Sequence, residues 1–148
     1  MTMTMTLQQL YEVDDYQWLE KTVQLLRSHQ LDRLDLVHLI EELEALGSEK
    51  RHAVESLLEQ VMRHLLFLQY WTEEYEQNAN HWQAELYSFR TQLNRKLTTN
   101  LQLHLENEYC NLYTDAAGYV QRKAGFKLEL PAQCPYTLEQ LLDVEWLP

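Results

Sequence analysis

All three prolines of this 148-residue chain, Pro131, Pro135 and Pro148, fall within its last 18 residues. The 130 residues before them contain nothing that removes a backbone donor and locks φ near −65°. The only glycines are Gly47, Gly118 and Gly125. So little punctuation favours long helices and leaves out the turn chemistry of a many-stranded sheet. The length suits one domain, residues 1–148, able to bury roughly two thirds of its unfolded surface without staples or metals.

Apolar periodicity fills in the helices. The first six residues are expected to fray. A helical segment then runs from near Leu7 or Asp15 to about Ser28, with Tyr16, Leu19, Val23 and Leu26 as its buried row. Trp18 and Leu25 widen that face, and Asp14-Asp15 place negative charge where a helix N-terminus favours it. After a connection at 29–33, Asp35 is placed to cap a short helix carrying Leu36, Leu39, Ile40, Leu43 and Leu46. Gly47 fits a left-handed stop, and Ser48 a cap for the next helix.

That next helix is the longest, with Val54, Leu58, Val61, Leu65 and Leu68 forming a bundle seam. Asn80, with Gln83 at capping-box spacing, marks a fourth helix lined by Trp82, Leu86, Phe89, Leu93 and Leu97. Thr98-Thr99-Asn100 predict a break. A fifth segment spans Leu101 to Ala124, with Gly125 as its stop. Residues 126–130, F-K-L-E-L, alternate like a strand but have no partner, so an extended arm is expected. Thr137 and Gln140 have capping-box spacing before a short helix from Leu138 to Asp143. The expected architecture is all-α: a bundle of about five helices, with residues 126–148 as a C-terminal arm packed on it. Trp146 and Leu147 are expected to pin that arm.

The formal net charge is −11. Residues 1–50 hold ten acids against four bases. Such a chain repels phosphate backbones and anionic membrane faces, so neither a nucleic acid nor a membrane is expected as partner. The best basic patch gathers only Arg90, Arg95 and Lys96. The start MTMTMTLQQL lacks a basic region followed by an apolar stretch, which predicts no signal peptide. No run is apolar enough to span a bilayer. Cys110 and Cys134 form no C-x-x-C pair and suit a reducing compartment. A cytoplasmic location follows as an expectation.

Several segments together resemble a known family. They are L-Y-E-V-D-D-Y-Q-W-L-E at 10–20, L-I-E-E-L-E-A-L-G at 39–47, R-H-L-L-F-L-Q-Y at 63–70, H-W at 81–82 and C-P-Y-T-L-E-Q-L-L-D-V-E-W-L-P at 134–148. They resemble the bacterial family catalogued as domain of unknown function number 29, frequent in cyanobacteria. The resemblance implies an all-helical fold and no established activity, substrate or cofactor. Phe67, Trp71-Thr72 and Gln83 stand where that family often has Lys, Gln-Pro and Arg, so positive charge near His64 and Trp82 is lost.

His64 falls inside the apolar seam, and a buried imidazole needs a partner. Glu42 is proposed for it. The pair is read either as a structural contact orienting two helices or as the centre of a metal-dependent or hydrolytic enzyme. The other patterns have simpler readings. Glu49 and His52 form one E-x-x-H, and Asp35 and His38 a weaker D-x-x-H, short of the four-helix set of a dimetal site. The pairs His81–Glu85 and His104–Glu108 suit helix-surface contacts. Arg33 and His38 match an R-x-x-x-x-H spacing known from helical ribonucleases, but acidic surroundings oppose RNA. Cys110 is expected to be a buried, inert thiol and Cys134 to be partly buried.

No nucleotide, nucleophile-elbow or metalloprotease motif is present, and no cofactor is implied. Four Trp and nine Tyr exceed what one small core absorbs. Tyr16 and Trp82 are assigned to the core, whereas Trp18, Trp71 and Tyr75 are candidates to line an aromatic groove for a partner. The leading reading is a small acidic helical module for protein interaction, with a protein partner or a second copy as its occupant.

Overall fold

The computed structural model describes residues 4–148. The chain is all-α, with six helices and no strand among the described residues. They are α1 (Leu7–Val13), α2 (Asp15–Arg27), α3 (Leu36–Tyr70), α4 (Tyr75–Lys96), α5 (Thr99–Lys123) and α6 (Leu138–Leu142). Short 3-10 turns at Leu31–Arg33 and Thr72–Glu74 precede α3 and α4. The chain divides into two compact units, Met1–Glu49 and Lys50–Pro148. Of the six residues expected to fray, 1–3 lie outside the described residues. Thr6 closes a full capping box with Gln9 at the start of α1.

Two expected helix boundaries are absent. The helix ending at Gly47 and the one starting at Ser48 are a single 35-residue helix, α3. Of the glycines, only Gly125 takes the left-handed φ that a stop requires. Strong helix formers flank Gly47 on both sides, and cooperative propagation outweighs the roughly 1 kcal/mol penalty of one interior glycine. Asn80 does not start α4 either. That helix begins at Tyr75, straight after the 3-10 turn, so the Asn80–Gln83 spacing lies in a helix interior. The break at 98–100 is where the sequence places it, with the Thr98 hydroxyl accepting from the Leu101 amide at 3.3 Å.

The second unit is a helical bundle around the seam the sequence predicts. Val54, Leu58, Val61, Leu65 and Leu68 are all buried, together with Trp82, Leu86 and Leu93 of α4 and Leu105, Ala116 and Val120 of α5. Trp71 stacks on Trp82, with ring centroids 5.8 Å apart. Beyond α5 the backbone is extended. Its carbonyls find side-chain donors on the helices: Gln121 donates to Leu128 at 2.7 Å and Tyr113 to Pro131 at 2.6 Å. Both halves of the Thr137–Gln140 capping box form at the start of α6.

A helix of five residues leaves its last carbonyls unpaired. Arg90, fully buried on α4, supplies the missing donors. Its Nε donates to Leu141 O at 2.9 Å, Nη2 to Gln140 O at 2.8 Å and Nη1 to Trp146 O at 2.7 Å. Asn94 adds a bond to Leu142 O at 3.0 Å. Burial lowers the Arg90 pKa to about 10, and Asp143 opposes the shift. Of Arg90, Arg95 and Lys96, the best basic candidates in the sequence, Arg90 is turned inward as a clamp on the tail.

Candidate functional site

The first unit departs most from the apolar pattern. On α2 the row Tyr16, Leu19, Val23 and Leu26, expected to be buried, is exposed, with Tyr16 at 68%. The inward row is Trp18 and Thr22, both 1% exposed, with Leu25 half-buried beside them. These positions repeat at four and three, so both rows have helical period. What selects between them is the polar tip of Trp18. A buried indole N–H needs an acceptor, and Nε1 donates to Asp35 Oδ2 at 3.1 Å.

Asp35 is where the sequence places it, at the N-terminus of α3. Its Oδ1 accepts from the His38 amide at 3.4 Å, and its backbone carbonyl accepts from Leu39 at 3.0 Å. The same carboxylate also takes the His38 ring, Nδ1 donating to Oδ2 at 2.6 Å. Tyr11 of α1 lies flat on that imidazole, centroids 3.9 Å apart and planes 13° from parallel. Its hydroxyl donates to Glu42 at 2.5 Å. Glu12 comes within 3.7 Å of His38 Nε2 from an exposed position. One connected set, Trp18–Asp35–His38 with Tyr11–Glu42 over it, thus joins α1, α2 and the first turns of α3.

The charges follow from these bonds. The bond to Asp35 raises the His38 pKa against the opposing effect of burial, and Glu41 and Glu12 add to the rise. Burial alone would raise Asp35. The His38 ring and amide and the Trp18 indole outweigh it and hold the carboxyl below its ordinary value. The bond to Glu42 pushes Tyr11 up to about 12. Asp35 is thus an anion, His38 is biased toward its donor-only form, and Tyr11 stays a phenol. These groups satisfy one another and fix the unit, while its apolar rows point outward. On α3, Leu36, Ile40, Leu43 and Leu46 are between 49% and 59% exposed, although the sequence places them on a buried stripe.

The residues named from the sequence separate into different roles. Glu42 is engaged by Tyr11. His64 is buried in the second unit, where its Nδ1 donates to Gln60 O at 2.7 Å. Burial lowers its pKa, which favours the neutral ring. Glu42 belongs to the first unit and His64 to the second. Trp18, expected at a partner contact, is buried because its N–H is committed to Asp35. Trp71 is half-buried on Trp82, and Tyr75 is 41% exposed. Tyr16, assigned to the core, is on the surface.

His104 meets Glu55 of α3 at 2.7 Å, a longer-range partner than Glu108. Glu49 and His52 are exposed. Cys110 is exposed, because its position on α5 points out of the core. Cys134 is half-buried, with burial raising its thiol. No group of three His, Cys, Asp or Glu side chains is placed to hold a metal among the described residues. No helix among them is long and apolar enough to cross a membrane.

The D-x-x-H spacing of Asp35 and His38 is visible in the sequence, where Asp35 reads as a cap. The second use of the carboxylate, on the His38 ring, was open to the same spacing. Nothing local announces Tyr11 against Glu42, 31 residues apart.

Comparison with curated proteins and with solved structures finds no match. A family model, Domain of unknown function DUF29, matches residues 10–147. The match runs from the first buried leucine of α1 to the tail held by Arg90, and the chain belongs to this family.

Proposed function

We propose that this chain is a protein-interaction module and that its first unit presents the docking surface. The observation that carries this reading is the pair of exposed apolar rows at helical spacing, one on α2 and one on the first turns of α3. Twelve of the eighteen large hydrophobic side chains exposed among the described residues belong to Met1–Glu49, one third of the chain. Among its described residues, the same unit buries only Leu10 and Trp18 of its hydrophobic side chains. A core so small is marginal. Covering the outward rows supplies what the inward rows lack, at about 1.5–3 kcal/mol for each Leu, Ile or Val fully buried. Exposed apolar patches rimmed by polar residues mark interaction sites. Trp71 and Tyr75 are proposed separately, as a partner contact on the second unit by itself, and Trp18 does not enter the proposal. We place the module in the cytoplasm, where its two free cysteines suit reducing conditions.

The test is recovery of the tagged full-length chain from the organism that makes it, beside a Leu19→Glu/Val23→Glu variant. Both positions are surface sites, where substitutions usually change stability by less than about 0.5 kcal/mol. A near-stoichiometric protein held by the native chain and released by the variant, at unchanged helicity, is the expected result. Equal recovery with both chains, or native chain recovered alone, overturns the reading.

A further inference from the structure

The partner's chemistry can be taken further, on the assumption that the first unit docks a protein at all. Tyr16, Leu19, Val23 and Leu26 repeat at three, four and three along α2, the spacing that meets the apolar seam of another helix. The row spans ten residues of rise, about 15 Å, or three turns. Glu42 of α3 and Asp15 line one shallow groove together with Tyr16 and Leu19. Glu20 stands on the other side of the row, and Arg27 lies only at its far end. Between Leu36 and Glu49, α3 contributes four carboxylates and no Lys or Arg. The whole unit has ten carboxylates against three Lys or Arg.

A second copy of this surface would set carboxylates against carboxylates, and an anionic lipid face would do the same. An occupant with positive borders meets no such opposition. We infer that the groove beside the α2 row takes an amphipathic helix of about three turns, apolar along one seam and bordered by Lys or Arg. The apolar seam supplies the affinity. The carboxylates of Asp15, Glu20 and Glu42 select the sign of the partner and speed its encounter, since single rim ion pairs are worth only about 0–1 kcal/mol.

The experiment uses the full chain and four labelled fourteen-residue peptides, followed by fluorescence anisotropy. One peptide has Leu at helical spacing with Lys elsewhere. The second replaces Lys with Gln, the third replaces Lys with Glu, and the fourth scrambles the Leu/Lys order. The Leu/Lys helix is expected to bind about tenfold or more tighter than the Leu/Gln peptide, roughly 1.4 kcal/mol. The Leu/Glu peptide should not bind. Leu19→Glu/Val23→Glu should abolish binding of the Leu/Lys peptide, and Asp15→Asn/Glu20→Gln/Glu42→Gln should bring its affinity down to that of the Leu/Gln peptide. Equal binding of the Leu/Lys and Leu/Gln helices overturns the charge selection while leaving the docking reading intact. Equal binding of the scrambled peptide overturns the helical seam. If no peptide binds while the native chain still holds a partner that Leu19→Glu/Val23→Glu releases, the inferred chemistry fails and the module reading stands. A dimer of this chain broken by Leu19→Glu also overturns the inference, in favour of a second copy.

Discussion

His38 Nδ1 stands 2.6 Å from Asp35 Oδ2, one turn away at the start of α3. The contact joins a helix cap to an ionisable ring, so the stability of the first unit is tied to pH. The His38 pKa is raised in the folded chain by its bond to Asp35. Its contribution is therefore complete below the unfolded value, about 6.5, and is lost as pH rises through the raised folded value. Asp35 is held below its ordinary value, because hydrogen bonds from His38 and Trp18 outweigh burial. Its contribution is present above the ordinary carboxylate value and is lost as pH falls through the lowered folded one. Thermal melts of the native chain and His38→Ala should differ most between those two limits. The gap should narrow on the alkaline side. A gap that stays constant from pH 5 to 9 would show that the ring acts by packing on Tyr11 alone.

Trp18 tests the other end of the same set. Trp18→Phe keeps an aromatic body but removes the N–H that reaches Asp35. A buried carboxylate that loses a donor should lower stability by about 1–3 kcal/mol. Thr22→Val, one turn along the same buried row, is a control for packing. It removes a bond from the Thr22 hydroxyl to Trp18 O at 2.8 Å without touching Asp35. Urea unfolding of both variants should show the larger loss in Trp18→Phe, with a matching rise in the apparent pKa of Asp35 by NMR titration.

Arg90 holds three carbonyls of the C-terminal segment from a fully buried position. Arg90→Ala should lower stability by about 3 kcal/mol or more, since hydrogen bonds to a charged donor are worth about 1.5–3 kcal/mol each and the carbonyls would be left without partners. Arg90→Lys should recover less than half of the loss. A single ammonium is a point donor and cannot span the fork that a guanidinium presents. Limited proteolysis gives the local readout: cleavage near Tyr136 and Trp146 should appear in Arg90→Ala well before α3, α4 and α5 are cut.

These positions show how far local pattern reaches. Periodicity locates the second unit well, because Val54, Leu58, Val61 and Leu65 face a core on one side only. It fails on α2, where the rows through Tyr16 and through Trp18 both have helical period. The larger hydrophobic row is turned outward because the Trp18 indole must reach Asp35, a tertiary demand that spacing does not express. Gly47 fails for a related reason: a glycine can stop a helix without being obliged to, and the residues on each side decide. Thr98, Thr137 and Gly125 are legible because a cap or a left-handed stop is satisfied within a few residues of itself. Glu42, proposed from the sequence as the partner of His64, accepts from Tyr11 of α1, a contact 31 residues apart that no local spacing expresses.

The ends of α2 and α5 offer the last prediction. Each closes with the same pair of bonds. At α2, Gln30 N reaches Leu25 O at 2.9 Å and His29 N reaches Leu26 O at 3.2 Å. At α5, Phe126 N reaches Gln121 O at 2.7 Å and Gly125 N reaches Arg122 O at 3.2 Å. This is the Schellman arrangement, and it requires a left-handed residue just past the cap. Gly125 fills it at φ 67°, whereas His29 fills it at φ 57° with a side chain attached. Left-handed backbone is disfavoured by about 1–2 kcal/mol for a residue with a Cβ and is open to glycine. His29→Gly should therefore raise stability by up to about 1 kcal/mol, after allowing for the greater freedom of glycine in the unfolded chain. Gly125→Ala should lower it by about 1 kcal/mol, through backbone strain alone, because no atom lies within 4 Å of the position a Cβ would take. Opposite signs at the two helix ends, measured by urea unfolding, would establish that the shared geometry sets the effect. Equal losses in both variants would show instead that the His29 side chain makes a stabilising contact that outweighs its backbone strain.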